Sequence, residues 1–160
     1  MKKLLIPFFF LISIQLCLAQ NTPYINFAQL EKIIYQQDDT LRIVNFWATW
    51  CKPCIEELPD FEKVSADYAT KKVKVILVSM DFKSKIDVQL KPYITKNNIH
   101  SQVVVLDQTD SNIWINKLSK EWSGSIPATV FTLQSKQLLF HEGKYSHEEL
   151  VKYIQQYIQP

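Results

Sequence analysis

The chain has 160 residues, with 18 Lys and Arg against 16 Asp and Glu, and this length fits one domain that buries a core. The formal charge of +2 indicates no surface for nucleic acid or for acidic substrates. Only two glycines are present, which excludes glycine-rich loops that bind phosphate and argues against nucleotide chemistry.

The first residues have the pattern of a secretory signal peptide. Two lysines form a basic start, residues 4–16 are mostly apolar, and Ala19 ends a small-residue cleavage site. The apolar run is shorter than the ~20 residues that a membrane-spanning helix needs, so an uncleaved anchor through residues 4–19 is the less favoured alternative. We therefore predict a signal peptide at residues 1–19 and an extracytoplasmic protein, either periplasmic or secreted.

Cleavage would leave residues 20–160 as a single domain. It removes Cys17, so that Cys51 and Cys54 become the only cysteines of the mature chain. It also removes two lysines, which leaves 16 basic against 16 acidic residues. In an oxidising compartment, a cysteine pair of this kind is useful only if a partner keeps it reduced or reoxidises it.

The spacing of apolar residues predicts alternating helices and strands along the mature chain. Helices are indicated at 27–37, 52–69, 84–98, after an N-cap at Asp110 and after an N-cap at Ser146, and strands at 41–46, 73–80, 102–106, 128–133 and 137–141. Such alternation implies right-handed crossovers and a largely parallel sheet, followed by an antiparallel hairpin that turns at residues 134–136. Pro59 is expected to kink the second helix, and Ser146 with Glu149 forms a capping box.

Two cysteines, Cys51 and Cys54, lie where the strand at 41–46 gives way to the helix at 52–69. A helix N-terminus stabilises a thiolate through its free N–H groups and its dipole, and the thiolate is the form that attacks disulfides. A second thiol three residues on can resolve the mixed disulfide. The pattern therefore indicates thiol–disulfide exchange.

Two other interpretations of the cysteine pair remain open. A purely structural disulfide that closes so short a loop contributes only about 2 kcal/mol to stability. A zinc site needs two further ligands, and His100, His141 and His147 show no ligand spacing with one another.

The sequence NFWATWCKPC at residues 45–54 resembles the active site of the thioredoxin superfamily, and it is most similar to the extracytoplasmic TlpA/ResA-like branch. Ordinary thioredoxins carry Asp at the position of Asn45, whereas this branch has Asn there and a downstream Glu that matches Glu57. The resemblance implies an α/β thioredoxin-like fold with a central mixed sheet flanked by helices. It also implies an extra helix–strand insertion between residues 84 and 107.

The resemblance also implies roles for three residues. Cys51, at the start of the helix, would be the exposed nucleophile, and Cys54 the buried resolving thiol. Glu57 follows Cys54 by three residues on the same helix face, where a buried carboxyl with a raised pKa can take or return the Cys54 proton. The apolar phase of the helix leaves Glu57 near the boundary, so a surface glutamate like Glu56 is the alternative.

A second segment, Ile126 and Pro127, precedes the hairpin. In thioredoxin-like folds the matching proline is cis and lies against the disulfide. The backbone at Ile126 would then pair with an extended substrate segment as an added strand, and Trp50 would form part of the docking surface. A trans proline at a strand start is the alternative. Trp47 is expected in the core.

We therefore expect an extracytoplasmic thiol–disulfide oxidoreductase that reduces disulfides of partner proteins, with no cofactor, no resident metal and no nucleic-acid partner. Electrons would come from a membrane-bound donor. One alternative is a copper or zinc binding metallochaperone-like module that uses both cysteines and a histidine, with His141 as the candidate. Another is an interaction domain in which the cysteine pair has no redox role.

Overall fold

A computed structural model of the chain describes residues 22–107, 109 and 111–158. The expected signal peptide and the expected N-cap at Asp110 lie outside these residues. The described chain forms, in order, β1 (Tyr24–Ile25), α1 (Phe27–Ile34), β2 (Leu41–Trp47), α2 (Lys52–Asp67), β3 (Val73–Ser79), α3 (Lys91–Lys96), β4 (Gln102–Leu106), α4 (Ser111–Leu118), β5 (Ala128–Leu133), β6 (Lys136–Glu142) and α5 (His147–Tyr157).

The strands form one mixed sheet in the order β1-β4-β3-β2-β5-β6. The four strands from β1 to β2 are parallel, whereas β5 runs antiparallel to β2 and β6 antiparallel to β5. This is the central mixed sheet that the resemblance implies. The extra helix–strand unit is α3 with β4, and β4 lies between β3 and β1 in the sheet. The two-residue strand β1 was not predicted, because so short a segment carries no periodicity.

The centre of the core is β2, in which all seven residues are buried. Its apolar and β-branched side chains suit a strand that is covered on both faces. Phe46 packs against Trp122 and Trp114 with ring centroids 4.8 and 6.4 Å apart. Trp47 is fully buried, as predicted, and its ring lies 5.6 Å from that of Tyr93. The end of β2 is therefore fixed by aromatic packing on both sides of the sheet.

The predicted helix at 84–98 is broken into three pieces. A 3-10 turn at Lys83–Lys85 and a π-helical segment at Ile86–Leu90 lead into α3. Pro92 lies in the first turn of α3 and has no N–H for an intrahelical hydrogen bond, so a regular α-helix cannot run through it undisturbed. The prediction of a single continuous helix here was wrong.

Two other boundaries differ from the prediction. The β5–β6 turn contains two residues rather than three, Gln134 and Ser135, with φ of 51° and 61°. Positive φ at both positions is typical of the tight hairpin turns that match the strand twist. The second helix ends at Asp67, earlier than predicted, and continues through Pro59. Whether Pro59 bends it stays a prediction.

None of the helices found between residues 22 and 158 is both long and apolar enough to cross a membrane.

Candidate active site

The cysteine pair lies in the turn between β2 and the start of α2. The Cys51 N–H donates to the Ala48 carbonyl at 3.0 Å, and Cys51 is the N-cap of α2. The two sulfurs are bonded at 2.06 Å, and the Cys54 N–H lies 3.3 Å from the Cys51 Sγ. The positive end of a 16-residue helix thus faces the Cys51 sulfur and stabilises its thiolate form after reduction.

The two cysteines differ less in exposure than predicted. Cys54 is fully buried, and Cys51 is only 6% exposed, so the expectation of an exposed Cys51 holds only in relative terms. The neighbouring Trp50, by contrast, is 57% exposed. Little of the Cys51 side chain is therefore open to a reactant, whereas the Trp50 ring next to it in sequence is exposed.

The Ile126–Pro127 peptide bond is cis, as predicted, and lies against the cysteine pair. The Ile126 carbonyl oxygen is 3.7 Å from the Cys51 Sγ. Two contacts that the sequence did not reveal hold this loop: the Trp122 indole N–H donates to the Ser125 carbonyl at 2.7 Å, and the Gly143 N–H donates to the Pro127 carbonyl at 2.9 Å. The loop is thus fixed to the aromatic core on one side and to the end of β6 on the other.

Glu57 points inward and is only 2% exposed, which settles the open question of its burial. Its Oε1 accepts a hydrogen bond from the Asn45 Nδ2, and its Oε2 accepts one from the Tyr145 N–H, both at 2.8 Å. Burial raises the pKa of Glu57 to about 7, although these two hydrogen bonds and the charge of Lys144 act in the opposite direction. The carboxyl group therefore changes its charge near neutral pH.

The adjacent glutamate has the opposite environment. Glu56 is exposed and pairs with Lys144 at 2.8 Å, and this hydrogen bond lowers the pKa of Glu56. A cleft of about 310 Å³ lies between α2 and the segment that leads into α5, and Glu57, Lys144 and Tyr145 are among its lining residues. Glu57 can therefore exchange protons with solvent although it is buried.

Asn45 is held beside Glu57 by the pairing of β2 with β5. This pairing places Asn45 opposite Thr129, and the Asn45 Nδ2 donates to the Thr129 Oγ1 at 3.1 Å as well as to Glu57. An amide at this position binds the Glu57 carboxylate without adding a second negative charge. Asn45 therefore stabilises a buried Glu57 carboxylate, whereas an Asp at this position would repel it.

Sequence reasoning missed a buried network below the cysteine turn. Asp81, two residues after the end of β3, is 1% exposed and accepts hydrogen bonds from the Thr49 N–H at 3.1 Å, the Thr49 hydroxyl at 2.5 Å and the Ser79 hydroxyl at 2.8 Å. It thereby fastens the turn before Cys51 to the end of β3. The only signal in the sequence was an acidic residue directly after a buried strand.

The histidines do not gather around the cysteines. His141 lies on β6 with its ring 4.6 Å from that of Tyr145. His147 is partly buried and lies 3.2 Å from the Asp67 carboxylate. Across residues 22–107, 109 and 111–158, no three or more His, Cys, Asp and Glu side chains form a group that could hold a metal ion. The metallochaperone alternative therefore lacks a third ligand in this part of the chain.

Comparisons with known proteins agree with this geometry. The model of the AhpC/TSA family matches residues 25–136. Thioredoxin-like protein YneN of Bacillus subtilis is 28% identical over 110 residues, which cover 68% of this chain and 59% of that protein. Thiol-disulfide oxidoreductase ResA of Oceanobacillus iheyensis is 46% identical over 39 residues, or 24% of this chain and 20% of that protein. The chain thus spans less than two thirds of the length of these relatives.

A solved structure described as a thiol:disulfide interchange protein of the thioredoxin family, from Chlorobium tepidum, superposes with a TM-score of 0.62. It is 21% identical, and the match covers 73% of this chain and 79% of that one. This similarity confirms the thioredoxin-like fold.

Proposed function

Since the chain belongs to the AhpC/TSA family, we propose that it is a thiol–disulfide oxidoreductase that reduces disulfides of partner proteins through Cys51 and Cys54. The observation that carries this proposal is the bonded cysteine pair at the N-terminus of α2, with the carbonyl of Ile126 3.7 Å from the Cys51 sulfur. The names of two relatives, a thioredoxin-like protein and a thiol-disulfide oxidoreductase, support the same class of reaction.

In the first step, the Cys51 thiolate attacks one sulfur of the substrate disulfide. A bond forms between the Cys51 Sγ and that sulfur, the substrate S–S bond breaks, and the second substrate sulfur leaves as a thiolate that takes up a proton. The helix N-terminus supports Cys51 as the nucleophile, because it stabilises the thiolate there. The buried Cys54 cannot reach a protein substrate directly.

In the second step, Cys54 attacks the Cys51 Sγ of the mixed disulfide and releases the other substrate sulfur. The Cys54 thiol must first lose its proton, and Glu57, one helical turn further on, is our candidate for the group that accepts it. The products are the Cys51–Cys54 disulfide and two substrate thiols, so two electrons have passed from the protein to the substrate. A pKa of about 7 suits Glu57 to this task.

Substrate binding is assigned to Trp50, Ile126 and Pro127. Trp50 is exposed beside the cysteine pair, and the cis bond turns the Ile126 backbone toward the Cys51 sulfur. An extended segment that carries the substrate disulfide can pair with this backbone as an added strand.

We place the protein outside the cytoplasm, as residues 20–160 after cleavage of residues 1–19 near Ala19. A reductant in an oxidising compartment must itself be reduced again, so a membrane-bound dithiol or an equivalent electron donor completes the cycle. The basic and apolar pattern of the first residues supports this location.

Cysteine trapping tests the proposed function. The reduced Cys54→Ser variant should form a stable mixed disulfide with a disulfide-containing protein, since the resolving thiol is absent. The Cys51→Ser variant should form none at a comparable rate, because Cys54 is buried. Mass spectrometry under non-reducing conditions measures how much mixed disulfide each variant forms. Equal trapping by both variants, or disulfide reduction by a variant that carries both Cys51→Ser and Cys54→Ser, would contradict the assignment.

A further inference from the structure

Large exposed apolar side chains are concentrated at one edge of the sheet. Within the described part of the chain, three of the four large exposed apolar side chains are there, namely Tyr24, Trp50 and Phe82, with 39 to 63% exposure, and the fourth, Val88, lies in the π-helical segment before α3. The strand register aligns Tyr24 with Val105, Val105 with Ser79 and Ser79 with Trp47, at the carboxyl ends of the parallel strands. Trp50 and Phe82 follow in the loops just beyond this row. Single exposed apolar residues are normal, but a concentration at one edge marks an interaction surface.

Trp50 and Phe82 are held on this edge by one buried contact. Trp50 follows Thr49 in the chain, and Phe82 follows Asp81. The Thr49 N–H and hydroxyl both donate hydrogen bonds to the Asp81 carboxylate. Phe82 is 63% exposed and has extended backbone, so its ring projects from the loop after β3. Because hydrogen bonds join the two loops, Trp50 and Phe82 can contact one partner with little loss of backbone conformational entropy.

Basic side chains border the two aromatic residues. Lys52, Lys83 and Lys85 are exposed, and none forms an ion pair within 4.0 Å among the residues that the structure describes. The Lys83 Nζ lies 5.2 Å from the centre of the Tyr24 ring, and Asp107 at the end of β4 offsets part of its charge. The balanced charge of the whole chain did not indicate that three lysines without ion pairs lie next to these two aromatic residues.

We propose that Trp50 and Phe82, bordered by Lys52, Lys83 and Lys85, form a docking surface for the segment that flanks the reactive disulfide of a partner protein, and that this segment carries apolar and acidic side chains. The proposal rests on the oxidoreductase function proposed above and adds its substrate preference. The apolar side chains pack on the two aromatic rings, and the acidic ones face the lysines.

Three short peptides test the substrate preference. Each contains one internal disulfide and differs only in the flanking residues: Leu with Glu, Leu with Lys, or Gly with Ser. We expect the reduced full-length protein to reduce the Leu–Glu peptide about tenfold faster than the Leu–Lys peptide at low salt. The difference should largely vanish at ~1 M salt, where the screening length is only about 3 Å. Hydroxyethyl disulfide, which has no flanking residues, serves as the reference substrate.

Variants test the assigned residues. In Phe82→Ala, and in Phe82→Ser as a second variant, the rate constant for the Leu–Glu peptide relative to hydroxyethyl disulfide should fall about fivefold. The double substitution Lys83→Glu and Lys85→Glu should reverse the preference between the Leu–Glu and Leu–Lys peptides. Lys136→Glu, at the opposite end of the sheet, is the matched control and should leave the preference unchanged.

Equal rates for all three peptides, together with reduction of hydroxyethyl disulfide, would overturn the docking surface and leave the oxidoreductase function intact. Reduction of none of the four disulfides would overturn both. Two further results would overturn the proposal, if Phe82→Ala abolished either of them. Self-association in sedimentation experiments would show that the surface serves a second copy, and binding to vesicles of anionic lipid would show that it serves a membrane.

Discussion

At the scale of single residues, the fold strongly changes the acid–base chemistry of the Glu57 carboxyl group. Its pKa is raised from 4.5 to about 7, so between these values the folded protein holds a proton that the unfolded chain has released. Folding stability therefore falls as the pH rises through this interval and becomes level above it. Burial is the cause, because the charged form has lost most of its hydration.

The substitution Glu57→Gln tests this burial through stability. Between about pH 5 and about pH 8, the oxidised wild-type protein should lose about 2 to 3 kcal/mol of unfolding free energy from this group, and the variant should not. Urea unfolding at both pH values gives the difference. Glu56→Gln, which changes the exposed neighbour, should keep the wild-type slope. Identical slopes in wild type and Glu57→Gln would show that Glu57 ionises as an ordinary surface group.

The same variant tests the proton transfer. The attack of Cys54 on the mixed disulfide should be about 100-fold slower in Glu57→Gln, because no base accepts the Cys54 proton. In the wild type this rate should rise with pH and show an inflection near pH 7, the pKa of Glu57, and the variant should lack it. Rapid-mixing kinetics of substrate release measures the step. An unchanged rate and pH profile would remove Glu57 from the mechanism.

At the scale of elements, the β5–β6 hairpin shows a local strain that can be relieved. Gln134 and Ser135 both have positive φ, which is costly for residues with a side chain and least costly for Gly and Asn. The Ser135 hydroxyl also donates to the Tyr35 carbonyl at 3.0 Å, so this residue contributes a contact that Gly would lose.

Gln134→Asn should therefore stabilise the protein by about 0.5 to 1 kcal/mol. Ser135→Gly should gain less, because it gives up the hydrogen bond to Tyr35. Both variants should keep wild-type disulfide reduction, since this turn lies at the opposite end of β5 from the cis proline. Thermal unfolding ranks the three proteins, and a destabilised Gln134→Asn would show that the turn does not favour Asn.

Other elements show which features a sequence can reveal. The capping box was read correctly, because Ser146 and Glu149 form their hydrogen bonds within one helical turn. The strand at 102–106 was predicted at its observed bounds for a similar reason, since its apolar run is local. The helix at 84–98 was not, because the choice between α, 3-10 and π hydrogen bonding around Pro92 depends on how the segment packs against the sheet.

At the scale of the whole molecule, the site combines parts of the chain that are far apart in sequence. The Tyr145 N–H reaches Glu57 across 88 residues, and the Ile126 carbonyl reaches Cys51 across 75. The cysteines could be predicted from their residue type and spacing, and the cis proline from the resemblance of its segment to thioredoxin-like folds. The burial of Glu57 was implied by the resemblance alone, since the helix periodicity left it open. The role of Asp81 was not predicted, because it depends on groups that only the folded sheet brings together.

The central claim is that Cys51 and Cys54 form a two-electron couple that works as a reductant. The most direct measurement is the reduction potential of this pair, obtained by equilibrating the protein in graded thiol–disulfide buffers and counting free thiols. We predict a two-electron titration with a potential below about −220 mV, on the thioredoxin side of the scale.

A potential near about −120 mV would contradict the reductant and indicate an oxidant of secreted thiols. A pair that never titrates as a two-electron couple would contradict thiol–disulfide exchange itself.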